Sequence, residues 1–343
     1  MRSVTGYGAD GPGAPLRPVE FERRDLRPDD VAVRVRYCGV CHSDLHAIEA
    51  PPPGHLPLVP GHEFVGEVSA VGPEVTGFAV GDAVAVGNIV DSCGVCPPCR
   101  AGREVFCEAG VTTTYLGNDR VDGTVTRGAY STEYVANERF VHPLPDGLDP
   151  AAVAPLMCAG VTTWDPLRRY GVGPGDTVGI VGLGGLGHLG VKFAKALGAR
   201  VAVFTTSPGK EKDALALGAD EVVVSSDDAG MAAQAGRFDF VLDTASGKHD
   251  VSPYLRVLRL DGTLCMLGLP ERYEPEAMAL LGRTMTTSGS AGTVSTREML
   301  AFCAEHGLVA DVEVLPFAEV NTALERLARN DVKWRLVLEI DPR

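Results

Sequence analysis

The sequence predicts an α/β protein of two domains, one rich in short β-strands and one built as a doubly wound parallel sheet. Three observations predict it. The 343 residues exceed one typical domain and suit two, with length enough to bury a large core in each. The first half carries β-like alternation broken by Gly, Pro and clustered Cys. From Asp176 onward apolar strands alternate with helical segments, and the first of those strands runs into a glycine-rich turn.

Composition narrows the classes of function. Hydrophobic residues make up 45% and charged residues 22%, the balance of a globular protein. No apolar run approaches the roughly 18 residues that span a bilayer, and Met1 to Glu20 lacks a basic segment followed by an apolar one, so no secretory signal is expected and the expected location is cytoplasmic. With 31 basic and 45 acidic side chains the net charge is -14, which disfavours nucleic acid and anionic membrane surfaces as partners. Nine cysteines in a chain of this length, without a signal, point to metal ligands rather than to a disulfide framework.

In chain order, Val31 to Tyr37 alternates apolar and charged side chains as a half-buried strand does, and it is expected to end just before Cys38-Gly39-Val40-Cys41-His42-Ser43-Asp44-Leu45-His46. That stretch gathers thiols, a hydroxyl, a carboxylate and two imidazoles. A thiolate binds Zn²⁺, a nearby hydroxyl can pass a proton to or from a metal-bound oxygen, and an imidazole can carry it to water. Cys41 is therefore a candidate catalytic ligand, although Cys41 and His42 taken alone also suit an ordinary buried turn. After the break at Pro51-Pro52-Pro53-Gly54, the run Pro60-Gly61-His62-Glu63 leads into a β rhythm. His62 is the second candidate ligand, and Glu63 can act behind it or as a transient ligand.

Cys93, Cys96, Cys99 and Cys107 place four thiols in a Gly- and Pro-rich segment that could not form a core by itself. Four thiolates leave zinc no open position, so the expectation is a closed structural site. An iron–sulfur cluster or a C-x-x-C redox pair are the alternatives. Residues 121 to 145 read as further short strands, and the Ala-rich Ala151 to Thr163 as the hinge between domains. Cys158 within it is the third candidate ligand. With Cys41 and His62 it completes a Cys2His set that leaves one position open.

In the second domain, Thr177 to Val181 is an apolar strand, Gly182-Leu183-Gly184-Gly185-Leu186-Gly187 a G-x-G-x-x-G turn, and His188 to Leu197 a helix closed by Gly198. That order is a dinucleotide-binding fingerprint, because the backbone must approach a pyrophosphate at the helix N-terminus. Further strands are expected at Val201–Phe204, Glu221–Val224, Phe238–Leu242, Thr263–Leu267 and Thr284–Thr287. An NAD site would place an acidic residue about twenty positions beyond the turn. Here stand Thr205, Thr206 and Ser207, with Lys210 just after. Hydroxyls and an ammonium suit a 2′-phosphate, so NADP is expected over NAD, the alternative being plain loop residues. Helices at Arg297–His306 and Asn321–Arg329 and a strand near Trp334–Ile340 are expected to return to the first domain. The division is thus 1–155 with 290–343, and 156–289.

Taken together, these residues closely resemble the zinc-dependent medium-chain alcohol dehydrogenases, and within them the cinnamyl alcohol dehydrogenase branch that includes bacterial aldehyde reductases. The resemblance spans essentially the whole chain and rests on Gly61-His62-Glu63-x2-Gly66-x5-Gly72, Cys158-Ala159-Gly160-Val161-Thr162, Val181 to His188 and Arg326 to Val332. It implies a GroES-like catalytic domain, a Rossmann cofactor domain, a homodimer, and interconversion of small primary alcohols and aldehydes with NADP(H) and two zinc ions. Under it Cys41, His62 and Cys158 bind the catalytic zinc, Glu63 is the alternate ligand and Asp44 orients His62. Ser43 exchanges the substrate proton and His46 relays it. His42 contacts the pyrophosphate, Thr162 the nicotinamide, and Thr205, Thr206, Ser207 and Lys210 the 2′-phosphate. Two rivals are an NAD-linked polyol or secondary-alcohol dehydrogenase and a non-catalytic, zinc-stabilised NADP(H) sensor. The substrate itself, aromatic or aliphatic, is left open.

Overall fold

The computed structural model describes residues 1–268 and 270–341. The chain forms two compact units, residues up to Cys158 together with those from Ala291 onward, and Ala159–Ser290. The chain passes from one unit to the other a few residues beyond the boundary read from the sequence, so Leu156, Met157 and Cys158 stay with the first unit.

In the first unit, β1 (Arg2–Gly8) and β2 (Arg17–Arg23) pair antiparallel. The main sheet contains β3 (Asp30–Val40), β4 (Phe64–Val71) and β5 (Ala83–Val86). A small sheet of β6 (Ile89–Ser92) and β7 (Val111–Thr113) carries the cysteine lobe, and β8 (Glu133–Asn137) and β9 (Val141–Pro143) rejoin the main sheet. The expectation of strands throughout 121–145 holds only for β8 and β9. Before them the loop is shaped by Asp119, whose carboxylate accepts from Val121 N at 2.8 Å and Asp122 N at 3.2 Å and pairs with Arg27. Side-chain hydrogen bonds of this local kind compete with a strand ladder.

The second unit strings together β10 (Thr177–Val181), β11 (Arg200–Thr205), β12 (Glu221–Val224), β13 (Phe238–Asp243), β14 (Leu258–Met266) and β15 (Thr284–Thr287). All neighbours are parallel, in the order β12-β11-β10-β13-β14-β15. The strand order reverses between β10 and β13, the switch point at which doubly wound sheets bind ligands. Strands buried on both faces read as continuous apolar runs, and β10 and β11 do so: Val178, Ile180, Val201 and Val203 are fully buried.

Beyond Ser290 the helix Thr293–His306 is followed by β16 (Val312–Pro316), the helix Val320–Ala328 and β17 (Arg335–Glu339). β16 and β17 extend the main sheet of the first unit, in the order β16-β17-β3-β4-β5-β9, with β8 also on β3. Leu327, Leu336 and Leu338 join Val33, Val40 and Phe64 in its core.

Candidate functional site

Strand register assembles the first site. β3 does not stop at Tyr37 but runs through Cys38, Gly39 and Val40, and it pairs antiparallel with β4 so that Cys38 lies opposite Phe64. The residues that follow β3 and those that precede β4 therefore emerge at the same end of the sheet. Cys41 and His62 are those residues. On the other side of β3, Leu336 lies opposite Val40, which brings Arg335 to that end as well. Cys158 follows the 3-10 turn Ala154–Met157, whose Met157 carbonyl approaches Gly87 so closely that a Cβ there would stand 2.9 Å away.

The ligand atoms of Cys41, His62 and Cys158 all lie within 4.8 Å of one another, with His62 Nε2 3.2 Å from Cys158 Sγ. Two sulfurs and an imidazole at that spacing fit a tetrahedral zinc, whose ~2.3 Å bonds to sulfur require ligand separations of roughly 3.8 Å. Electrostatics agree. Hydrogen bonding from Cys158, helped by His62, holds the Cys41 thiol well below its usual range, so this sulfur is disposed to be a thiolate.

Asp44 organises the group. It is fully buried and accepts from Cys41 N, Gly61 N, His62 Nδ1 and Tyr130 Oη, at 3.0, 3.0, 3.1 and 3.1 Å. The bond to Cys41 N ties the start of the helix His42–Glu49, and the bond to His62 leaves Nε2 to face the sulfurs. Tyr115 Oη also reaches His62 Nδ1, at 3.3 Å. Burial works against a charged His62, yet Asp44 and Cys41 beside it raise its pKa well above the usual value.

Glu63 is fully buried beneath this group and forms an ion pair with the buried Arg335, while its Oε2 has no partner. Burial pushes the Glu63 carboxyl up to about 7 against the pull of Arg335. Room for it exists because position 39 is glycine, where any Cβ would collide with the carboxylate.

The helix His42–Glu49 buries Asp44, Ala47 and Ile48. Ser43 is exposed, with its Oγ 3.7 Å from Cys41 Sγ. His42 is half-buried and its pKa is lowered by burial. His46 lies on the solvent face, 3.6 Å from Glu49, and is not gathered with the three ligands.

The second cluster is Cys93, Cys96, Cys99 and Cys107, whose sulfurs also lie within 4.8 Å of one another. The pairing of β6 with β7, Ser92 opposite Val111, closes the segment on itself. Backbone N–H groups of Cys96 and Val95 directed at Cys93 Sγ bring that thiol down to about 6. All nine cysteines are free. The lobe is tied to the rest of its unit by the buried Glu104, which accepts from Arg139 Nη2 at 2.6 Å and from Thr293 N and Oγ1 at 2.8 and 3.0 Å.

In the second unit the glycine turn sits between β10 and the helix Gly187–Ala196, and it fits a dinucleotide phosphate. Gly182 has φ +83°, a Cβ at Gly187 would collide with the Gly182 carbonyl, and at Gly184 a Cβ would meet nothing within 4 Å. Two of the glycines are thus demanded by the turn itself, and the third leaves its surface bare. Gly185 and Leu186 complete the turn. Thr205 ends β11 and accepts from Ser207 N at 3.1 Å, Thr206 is exposed, and Lys210 Nζ donates to the Leu183 carbonyl at 3.0 Å. Thr162 Oγ1 accepts from Ser290 N at 3.1 Å.

Arg335, Tyr115 and Tyr130 escaped the sequence reading. The one available signal was an arginine at the head of a largely apolar final strand.

The chain is similar to known proteins along nearly its whole length. Residues 27–146 match the alcohol dehydrogenase GroES-like domain, and residues 185–305 match the zinc-binding dehydrogenase domain. Aldehyde reductase YahK of Escherichia coli is 45% identical over 98% of both chains. A cinnamyl alcohol dehydrogenase structure from Sorghum bicolor superposes with a TM-score of 0.95 at 41% identity, covering 99% of this chain and 98% of that one. The cinnamyl alcohol dehydrogenase of Helicobacter pylori complexed with NADP(H) gives 0.92 at 32% identity, with the same coverage. The chain therefore belongs to the zinc-dependent medium-chain alcohol dehydrogenases, in the branch of cinnamyl alcohol dehydrogenases and aldehyde reductases, and is an alcohol dehydrogenase or aldehyde reductase.

Proposed function

We propose that the protein interconverts aldehydes and primary alcohols, working mainly as an aldehyde reductase, with NADP(H) as hydride carrier and two zinc ions per chain. The convergence of Cys41, His62 and Cys158 carries this reading, because three protein donors leave a fourth position for substrate whereas the four-cysteine cluster leaves none. When bound, zinc polarises the substrate oxygen as a Lewis acid and NADPH supplies hydride.

The chain's own residues do the rest. Asp44 fixes the tautomer and plane of His62. Ser43, beside Cys41, gives its hydroxyl proton to the substrate oxygen during reduction and takes it back in the reverse direction. His46, open to solvent, exchanges that proton with water. Glu63 keeps Oε2 free of other partners and is the oxygen available as a transient ligand. His42 and Thr162 are assigned to the pyrophosphate and nicotinamide.

The absence of a carboxylate at the end of β11 supports NADP, as do Thr205, Thr206, Ser207 and Lys210, and the Helicobacter pylori relative was solved with that cofactor. Charge reversal at one position tests this. Lys210→Glu is expected to raise KM for NADPH by about tenfold or more, the worth of one charge-assisted hydrogen bond, with KM for NADH little changed; equal effects on both would contradict the assignment.

A homodimer is part of the proposal. Among the described residues β15 has a strand neighbour on one side only, and Leu260, Met278 and Leu281, 71%, 74% and 68% exposed, are apolar residues near that edge of the unit. The test of function is the decay of NADPH absorbance with a panel of aromatic and aliphatic aldehydes, repeated with NADH. Turnover favouring NADPH is expected, and a chain loaded with zinc that turns over none of them would refute the reading.

A further inference from the structure

A cavity of about 260 Å³ lies in the first unit, and none of its lining residues is a candidate ligand. Its walls come from the end of β2, the loop after it, the start of β3, β6, β7, the 119–127 loop and β8. Arg23, Arg24, Arg27 and Arg127 all line it.

Five carboxylates share the lining: Glu22 is exposed, Asp91 accepts from Ser92 N at 2.7 Å, and the other three are engaged. Asp30 pairs with Arg24 and accepts from Arg27 N at 2.7 Å, Asp119 accepts both Arg27 Nη atoms at 2.9 and 2.8 Å, and Asp29 accepts from Asn137 Nδ2 at 2.5 Å. Two guanidiniums have no such match. Arg23 is buried and donates only to neutral oxygens: the carbonyls of Glu133, Arg127 and Gly128 at 2.5, 2.8 and 2.8 Å, and Ser131 Oγ at 2.8 Å. Burial brings it down to about 10. Arg127 is half-buried, and among the described residues its side chain has no hydrogen-bond acceptor and no ion pair; its Nε is buried without a partner. Its guanidinium lies over the Phe21 ring, Cζ 5.5 Å from the ring centre. An always-charged fork of N–H donors left idle over an aromatic ring is the arrangement that takes a planar anion with a flat apolar body.

We propose that this cavity binds a small aryl carboxylate, its carboxylate held by the Arg127 guanidinium and its ring seated by Phe21 and the neighbouring Val90 and Val125. The size agrees. The volume falls just below the roughly 300–1,000 Å³ of drug-sized pockets, which suits a single ring with its acid group. Arg23 contributes long-range attraction, since its guanidinium is locked between Phe21 and Tyr134, 5.1 and 4.3 Å from their ring centres, and four of its five N–H donors are committed.

Benzoate is the probe, followed by saturation-transfer NMR titration of the zinc-loaded full chain. Because benzoate also resembles an aldehyde substrate, Cys158→Ala is titrated beside Arg127→Gln and Phe21→Ala. Binding that survives in Cys158→Ala, weakens at least about tenfold in Arg127→Gln and Phe21→Ala, and is not matched by benzyl alcohol or inorganic phosphate is expected. Binding lost in Cys158→Ala and unchanged in Arg127→Gln puts benzoate at the metal centre and overturns the proposal, as does the absence of any binding or equal displacement by phosphate. Arg127→Gln removes no hydrogen bond, so its thermal midpoint should equal or exceed that of the wild type; a lower midpoint would show the guanidinium to be structural and would also overturn it.

Discussion

Cys158→Ala is expected to lower kcat for aldehyde reduction at least about a thousandfold, while the affinity for NADPH stays within about twofold. Lewis-acid stabilisation of charge on the substrate oxygen is worth several kcal/mol, and each 1.4 kcal/mol is about tenfold in rate. Removing one of three protein donors at an open site leaves a sulfur and an imidazole that cannot fix the metal's geometry. The glycine turn and Lys210 belong to the other compact unit and are untouched by the change. Steady-state kinetics with cofactor titration by fluorescence separates the two quantities. A variant with full turnover, or one that loses NADPH affinity in parallel with kcat, would show that Cys158 does not hold a catalytic metal.

Breaking the ion pair below the metal group should have the largest effect on stability. Arg335→Met is expected to destabilise the first unit by about 3–5 kcal/mol, because it leaves Glu63 buried without its cation. Arg335 and Glu63 are 4% and 0% exposed, so water cannot replace the lost partner. The double variant Arg335→Met with Glu63→Gln should recover most of that loss, since no charge is then stranded. Urea unfolding of the two single variants and the double closes the cycle. Additive losses would mean that the two residues stabilise the unit independently.

This ion pair also marks the limit of what could be read from the chain itself. The six parallel strands, the glycine turn and the four-cysteine group were legible because each rests on local chemistry: apolar runs of strand length, glycine between strand and helix, and thiols too numerous for a poor core; Cys41, His62 and Cys158, far apart in the chain, were joined by the Cys2His pattern instead. Arg335 and Glu63 are separated by 272 positions, and they meet only because β17 pairs with β3 in one register. No local pattern encodes that register. Tyr130 was hidden for the same reason. It reaches Asp44 because the 128–130 backbone packs on Pro60 and Gly61, where Ala129 N donates to Gly61 O at 2.9 Å and Tyr130 N to Pro60 O at 2.9 Å.

The extension of β3 through Cys38 and Gly39 follows from pairing as well. Alternation ceases at Tyr37, but hydrogen bonding to β17 and β4 continues on both sides, and tertiary pairing overrides the local signal. His46 illustrates the opposite limit. Once the segment from His42 is helical its residues separate by face, with Asp44 inward and His46 outward, a division that the sequence spacing alone does not display.

The most direct test of the account is the zinc content of the purified wild-type chain measured beside that of Cys158→Ala. Two zinc ions per chain, falling to one in the variant with the four-cysteine lobe still loaded, is the predicted result. One zinc per wild-type chain, or the same ratio in both proteins, would contradict a metal held by Cys41, His62 and Cys158.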